Sequence, residues 1–525
     1  MQKILRALRH PAILPILLLL AINLIAGLLT YRDFGLSWDE PLFYDYADSI
    51  KLAYTPQAFS PSFDFEQVYG PSATDHKYYG PAYILAARPV QQAIMAVLGA
   101  DRASAWHLVN FLTFQIGLLF FYLLLLRWFD PWPAAAAAAF FAWQPVVWGH
   151  AFINPKDMPF MVFFVAAVTL GFWMVDAFSQ ASPKRRWGLV ILAGSLLGAT
   201  VAIRVIGPLA GLVVFAYFLL HRNWRALPAF CIYGLVALLV MFVGWPFLWA
   251  DPLNRMLEVA RHMSDNPTQL AVVFMGQLFR APTLPRRYLA QMLAIALTEP
   301  TWFLFVLGLG LAVYKTLRGG WQRYASALIV MSWFLLMLAY VLFSHPPLYD
   351  GFRHFLFILP PVFVAVGFAF QFLYEQLAAR AAKAARLLWP GVVGLLLLPG
   401  LLGMFQLHPY EYAYYNSFVG GTGGAYRVYE TDYWLTCYKE SLAWIHTHQP
   451  DKTVYIQREF GLASYYADGM NLKDLGAAQE TDIQPGDLLL FSTRGNLDIR
   501  SIYYKIPTLQ VIGREGAHFC LIKEK

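Results

Sequence analysis

"GLSWDEPLFYDYA", Gly35 to Ala47, puts Asp39, Glu40 and Asp45 directly after an apolar run long enough to cross a bilayer. Carboxylates beside lipid and among aromatic rings are either the solvated start of a loop or the polar edge of a site at the membrane surface. Which holds depends on what else the chain brings to that side of the membrane.

The composition is that of a polytopic membrane protein. Of 525 residues, 58% are hydrophobic and 14% charged, and mean hydropathy is +0.48, whereas a soluble domain carries about 25% charged residues. The net charge of +7 would suit nucleic acid. Its basic residues, however, fall in short clusters between apolar runs, where they orient spans, so no nucleic-acid partner is expected. Cys231, Cys437 and Cys520 have no metal-ligand spacing. Cys231 lies inside an apolar run, and a Cys437–Cys520 bridge is left open. "MQKILRALRH" followed by "PAILPILLLLAINLIAGLL" has the charge pattern of a signal peptide, but the run is of full-span length with no small-residue cleavage site, which predicts an uncleaved first helix with a cytoplasmic N-terminus.

About eleven runs are long enough to span, at roughly 11–29, 105–126, 134–150, 158–179, 187–203, 205–220, 226–248, 300–316, 323–343, 354–375 and 386–407. "GPAYILAARPVQQAIMAVLG", from Gly80, is a further candidate; Arg88, Pro89, Gln91 and Gln92 break its middle, which predicts an interfacial helix. With it lying flat, Arg127, Lys184-Arg185-Arg186, Arg222 with Arg225, Lys315 with Arg318 and Arg323, and Arg380 with Lys383 and Arg386 all fall inside. The other side then collects the first loop (about 30–104), "HAFINPKDMPF", an arginine-bearing loop (about 249–299) and "SHPPLYDGFRHF". After residue 407 the apolar runs shorten to strand length ("TVYIQ", "DLLLF", "TLQVIG", "HFCLI") and alternate with helical stretches such as "YKESLAWIHTH". This divides the chain into a membrane domain, 1–407, and a small soluble α/β domain outside the membrane, 408–525.

Two acids at the outer ends of spans, Asp39 and Asp157, can meet at the interface, one of them as general base toward an acceptor hydroxyl. Lys156, Arg204, Arg287 and Arg353 are candidates to hold a phosphate, Arg by bidentate hydrogen bonds and Lys by point charge. A carboxylate facing a phosphate leaving group fits transfer of a sugar from a lipid phosphate.

These features resemble the GT-C glycosyltransferases: the acidic pair after the first span, the second Asp at the end of the third, the helix hairpin around Arg204 and the soluble tail. Within that superfamily the chain is similar to the branch of protein O-mannosyltransferases and bacterial lipid A aminoarabinose transferases. "NPKDMPF", "VVFMGQLFRAPTLPRRYL", "LYDGFRHFLFILPP" and "YYNSFVGGTGGAYRVYETDYW" are similar to an uncharacterised bacterial subgroup. The resemblance implies a polyprenyl-phosphate-linked sugar donor, inverting transfer, and a periplasmic active site on a multi-pass inner-membrane protein. It implies Asp39, with Glu40 adjacent, and Asp157 as catalytic acids. Lys156, Arg204, His262, Arg287, Tyr349, Arg353 and His354 are the candidates for donor phosphate or sugar. The acceptor is a lipid, glycan or protein, and membrane lipids complete the partners.

Other readings compete. Asp157 and Lys156 form a local ion pair around Pro155 in the plainer account. The glycines of "FVGGTGGAY" lack the Gly-Lys-Ser/Thr ending of a nucleotide loop and read as a turn. His150, His262, His345, His354 and His408 lie outside, yet no pair has helical metal-ligand spacing, so a divalent cation is left open as a cofactor. A lipid-linked sugar transporter or flippase is the rival from another class; it would place polar groups near the bilayer midplane rather than at one surface.

Overall fold

Only helices can satisfy their own backbone in lipid, and the apolar runs become helices. The computed structural model describes residues 12–71, 73–180, 183–222, 224–265, 268–380 and 382–525; the basic segment 1–10 lies outside the described residues. In chain order the membrane portion contains α1 (Ile13–Thr30), α2 (Glu40–Ser49), α3 (Ala82–Leu98), α4 (Arg102–Leu125), α5 (Pro131–Ala142), α6 (Pro145–Ile153), α7 (Asp157–Gln180), α8 (Pro183–Val201) and α9 (Pro208–His221). There follow α10 (Leu227–Val243), α11 (Pro252–Asp265), α12 (Tyr288–Ala296), α13 (Pro300–Leu317), α14 (Trp321–Ser344), α15 (Leu359–Arg380) and α16 (Ala382–Leu407).

Among the described residues, eight helices are long and apolar enough to cross a membrane, or nine if α5 and α6 form one broken span. These two are bent by 68°, because Gln144 precedes Pro145 and takes the extended conformation that a proline imposes on its predecessor. Helices α8 and α9, expected as spans, are apolar but short, and α3 is also below span length. The helices at 157–178 and 353–380 are 89% buried over their apolar windows and form the centre, whereas α10 is 17% buried and faces outward.

The C-terminal strands are β3 (Thr453–Ile456), β4 (Asn471–Asp474), β5 (Leu488–Ser492), β6 (Thr508–Arg514) and β7 (Ala517–Glu524), after β1 (Ala271–Phe274) and β2 (Gln277–Arg280). β1 and β2 form a hairpin in the arginine-bearing loop that the sequence does not announce. The five-stranded sheet has the order β4-β3-β5-β7-β6, with β3 parallel to β4 and β5 and β7 antiparallel to β5 and β6. Every residue of β5 is buried, as its unbroken apolar run requires. α17 (Tyr438–His448) covers the sheet, and a Cys437–Cys520 disulfide ties its start to β7. Closing a separation of 83 residues removes unfolded-chain entropy worth about 4.5 kcal/mol.

Residues 408–437 do not join the sheet but pack onto the membrane helices. Gly149 of α6 leaves room for them, since a Cβ there would stand 2.5 Å from the Tyr412 nitrogen. Asn416 Nδ2 donates to the carbonyls of Ala294 at 2.9 Å and Leu297 at 2.8 Å. The first loop also docks on the C-terminal domain: Leu36 N–H donates to Tyr466 Oη at 2.8 Å, and Gly35 lies so close to Thr436 that a Cβ would meet its carbonyl oxygen at 2.2 Å.

These contacts dock the first loop on the C-terminal domain, and a span at α13 would put the α13–α14 turn on the other side of a membrane. With Cys231→Ala as background, cysteines at the exposed positions Ser62 and Gln484 are expected to react together with an impermeant thiol reagent. One at Gly319 is expected to react only from the other face. Ala151 is buried and unsuited to such labelling. Reaction of all three from a single face would break this arrangement.

Candidate active site

The first loop is fixed by Glu40, which is fully buried. Its Oε2 accepts from the Ser37 N–H at 2.7 Å and its Oε1 from Tyr44 Oη at 2.7 Å, with His107 Nε2 3.1 Å from Oε1. Ser37 Oγ donates to the Ile153 carbonyl at 3.1 Å, joining this loop to the end of α6. Asp39, just before α2, therefore points elsewhere than its neighbour and keeps 21% of its side chain exposed.

Arg353 Nη1 donates to Asp39 Oδ2 at 2.7 Å, and Lys156 Nζ stands 3.7 Å from the same oxygen. Burial pushes the Asp39 carboxyl up, but the charges of Arg353 and then Lys156 outweigh it and hold the group down at about 2. Asp157 begins α7 and is oriented by Asn154, whose Nδ2 donates to Oδ2 at 3.1 Å and whose Oδ1 accepts from the Asp157 N–H at 2.7 Å. Arg204 pairs with Asp157 Oδ1, and Arg353 lies 3.7 Å from Oδ2. Arg204 sits in the break between α8 and α9, which packs against Gly80: a Cβ there would lie 2.0 Å from the Ala202 carbonyl oxygen.

Arg353 is 2% exposed and faces a third carboxylate, Asp350, at 3.2 Å. Its guanidinium also lies over the rings of Tyr349 and Trp434, 5.2 and 5.1 Å from their centres. Lys156 is held over Tyr79, 4.4 Å from its ring centre. Burial raises the Tyr349 phenol to about 12. It also lowers His76, which stacks on Tyr46, to about 4, with Lys156 adding to the effect. Both stay neutral near pH 7.

Next to this cluster a cavity of about 330 Å³ opens, lined at one end by Tyr79, Arg204, Tyr349 and His354 and along its walls by Ile206, Met337, Tyr340 and Phe357. Its volume is in the range of ligand sites. Ile206 and Tyr340 are 37% and 44% exposed, so the apolar part of the lining reaches the protein surface, while Arg204 at its polar part pairs with Asp157.

The structure thus brings together Asp39, Lys156, Asp157, Arg204, Tyr349, Arg353 and His354. It leaves Glu40 one residue away, turned into the loop. His262 is at the rim, stacked on Tyr78 at 4.0 Å and 3.3 Å from Asp75. Arg287 is exposed, its guanidinium 3.1 Å from Met275 Sδ rather than near the acids. Asn154, His76 and Arg494 also belong to the surroundings, and the sequence does not single them out: Asn154 is visible in "NPKD", but nothing marks Arg494, which reaches Asp350 across 144 residues. Among the described residues no three His, Cys, Asp or Glu side chains converge as ligands of a cation.

No family model and no curated protein matches the chain. Solved structures do. ArnT from Cupriavidus metallidurans, 13% identical, superposes with a TM-score of 0.50 over 96% of this chain and 97% of its own, in the apo state and bound to undecaprenyl phosphate. The archaeal oligosaccharyltransferase AglB from Archaeoglobus fulgidus, in complex with an inhibitory peptide and a dolichol-phosphate, is 12% identical, with a TM-score of 0.52 over 93% of this chain and 70% of its own. At this identity the likeness is one of fold alone, and it agrees with the fold expected from the sequence.

Proposed function

We propose that the protein is an inverting glycosyltransferase that moves a sugar from a polyprenyl-phosphate donor to an acceptor at the periplasmic face of a bacterial inner membrane. The observation that carries this reading is the cavity: its lining joins exposed apolar side chains to Arg204, which pairs with Asp157, and Arg353 links Asp157 to Asp39. The undecaprenyl and dolichol phosphates of the structural neighbours supply the donor class. The Cys437–Cys520 bridge supports an oxidising compartment for the C-terminal domain, and the basic clusters support a cytoplasmic location for the opposite loops.

In this reading Arg204 and Lys156 hold the donor phosphate. Arg353, already paired through Nη1 and Nη2 with Asp39, Asp157 and Asp350, orders these carboxylates instead. The acceptor oxygen attacks the anomeric carbon while the sugar–phosphate bond breaks; Asp39 takes the acceptor proton, and the polyprenyl phosphate leaves with the bonding pair. Both cations engage Asp39 through Oδ2, leaving Oδ1 for that proton. A carboxylate held near 2 is a weak base. An arriving phosphate draws Lys156 to itself and adds negative charge nearby, which raises the basicity of Asp39 when donor is present. Asp157 fixes Arg204 at the phosphate.

Purified protein in nanodiscs, given undecaprenyl-phosphate sugars and envelope extract as acceptor, is expected to release undecaprenyl phosphate with labelled sugar in a new product. Movement of the donor across the bilayer without such release would favour a flippase. Asp39→Asn is expected to lower turnover by about 10²–10⁴-fold with donor binding retained. Glu40→Gln should instead lower thermal stability by about 1–3 kcal/mol, through its buried hydrogen bonds. Full activity in Asp39→Asn with loss in Glu40→Gln would exchange the two roles.

For the phosphate, Arg204→Gln and Lys156→Gln are each expected to weaken undecaprenyl phosphate binding about tenfold or more, the scale of a lost charge-assisted contact. Arg287→Gln should leave it unchanged. Equal affinities across the three variants would remove the phosphate from this end of the cavity.

A further inference from the structure

Arg494 takes no part in the chemistry described so far. It stands in the turn after β5, in the C-terminal sheet, yet its side chain is 1% exposed. Nη1 donates to Asp350 Oδ1 at 2.6 Å and to the Tyr433 carbonyl at 2.5 Å. Its guanidinium lies 4.3 Å from the ring centre of Trp38, the residue before Asp39. Arg353 Nη2 stands 3.2 Å from the other oxygen of Asp350 as an ion pair, and Arg353 Nη1 donates to Asp39 at 2.7 Å. Four charges of alternating sign therefore run from the sheet to Asp39.

We infer that Arg494 is a positioning residue: by engaging Asp350 it keeps Arg353 directed at Asp39, so that the C-terminal sheet completes a site built on the membrane helices. This rests on the reading of Asp39 as the base. Asp350 is fully buried, and among the described residues its ion pairs are to Arg353 and Arg494. Without Arg494, an uncompensated buried carboxylate has Arg353 as its remaining cation and draws it from Asp39. Burial of Asp39, which favours its neutral form, is unchanged. The other charged or titratable neighbours do not replace the lost cation: Lys156 and His76 are near Asp39, Asp157 is on Arg353, Tyr288, Tyr433 and Glu430 are near Asp350, and Arg458, across Trp38 from Arg494, pairs with Glu459.

Carbodiimide labelling with glycine ethyl ester, read by peptide mass spectrometry on the full-length protein, reports protonated carboxyls without needing substrate. At about pH 5.5, wild-type Asp39 is expected to resist labelling. Arg494→Met is expected to raise it about tenfold or more, because the protonated fraction grows about tenfold when the carboxyl titrates one pH unit higher. Adding Asp350→Asn removes the competing charge, so the double variant should return toward wild type, and Arg494→Lys should stay protected. Arg494→Gln, which keeps a donor for the Tyr433 carbonyl, gives the same test with less loss of packing. In the transfer assay Arg494→Gln should lower kcat about tenfold or more, because an Asp39 no longer held by Arg353 loses its orientation toward the acceptor and this outweighs its gain in basicity, while undecaprenyl phosphate affinity stays within about twofold. Labelling of Asp39 that is the same in wild type and folded Arg494→Gln, or no lower in the double variant than in Arg494→Met, overturns the inference. A wild type that resists labelling yet transfers no sugar would count against the functional reading alone.

Discussion

A guanidinium cannot be buried alone, and Arg353 is buried almost completely among Asp39, Asp157 and Asp350. Each carboxylate comes from a different part of the chain: the first loop, the start of α7, and the turn before α15. Removing one partner from such an arrangement costs about 3–5 kcal/mol, because the charge left behind has no water to turn to. That penalty makes the geometry specific: loop, helix end and turn must arrive together, or none of their charges is compensated. The fold around the cluster is what this requirement selects, with the two most buried of the long apolar helices at the centre.

The first loop shows how adjacent residues divide such work. Glu40 is turned inward and holds Ser37, Tyr44 and the neighbourhood of His107, so it sets the path of the backbone. Asp39 follows that path outward to meet Arg353 and Lys156. In the sequence the two acids are indistinguishable neighbours. Their separation comes from the close approach of Gly35 to Thr436 and of Ser37 to Ile153, contacts between distant segments that no local pattern records.

Much of the architecture is legible in the sequence because lipid imposes it. Apolar length marks the helices, α17 coincides with "YKESLAWIHTH", and strands β3, β5, β6 and β7 fall on the four apolar runs of strand length. β4 carries no such mark, because "NLKD" is polar and lies at the sheet edge. The pair α8 and α9 reads as two spans because composition reports apolarity, whereas the turn at Arg204 shortens both. Polar partners are harder. Lys156 and Asp157, adjacent in "NPKD", do not pair with each other: Lys156 faces Asp39, and Asp157 faces Arg204 and Arg353. Arg353 stands out as an arginine on the disfavoured side of the membrane, but its partners do not. Arg287 shares that signal and lies apart, since an arginine at an interface also suits solvent.

The resting charges bear on how such a site can wait for an anion. With no phosphate present, Arg204 and Lys156 still need compensation, and Asp157 and Asp39 provide it. The contacts are unequal. Arg204 pairs directly with a carboxylate that is 1% exposed, whereas Lys156 stands 3.7 Å from one that is 21% exposed. The weaker hold belongs to the cation whose release costs least, and Lys156 is steadied meanwhile by the face of Tyr79. In the proposed reading, a donor phosphate at the Arg204 end of the cavity can recruit Lys156 from Asp39, which keeps Arg353. The same step that binds the anion thereby leaves Asp39 with one cation fewer, and so more basic.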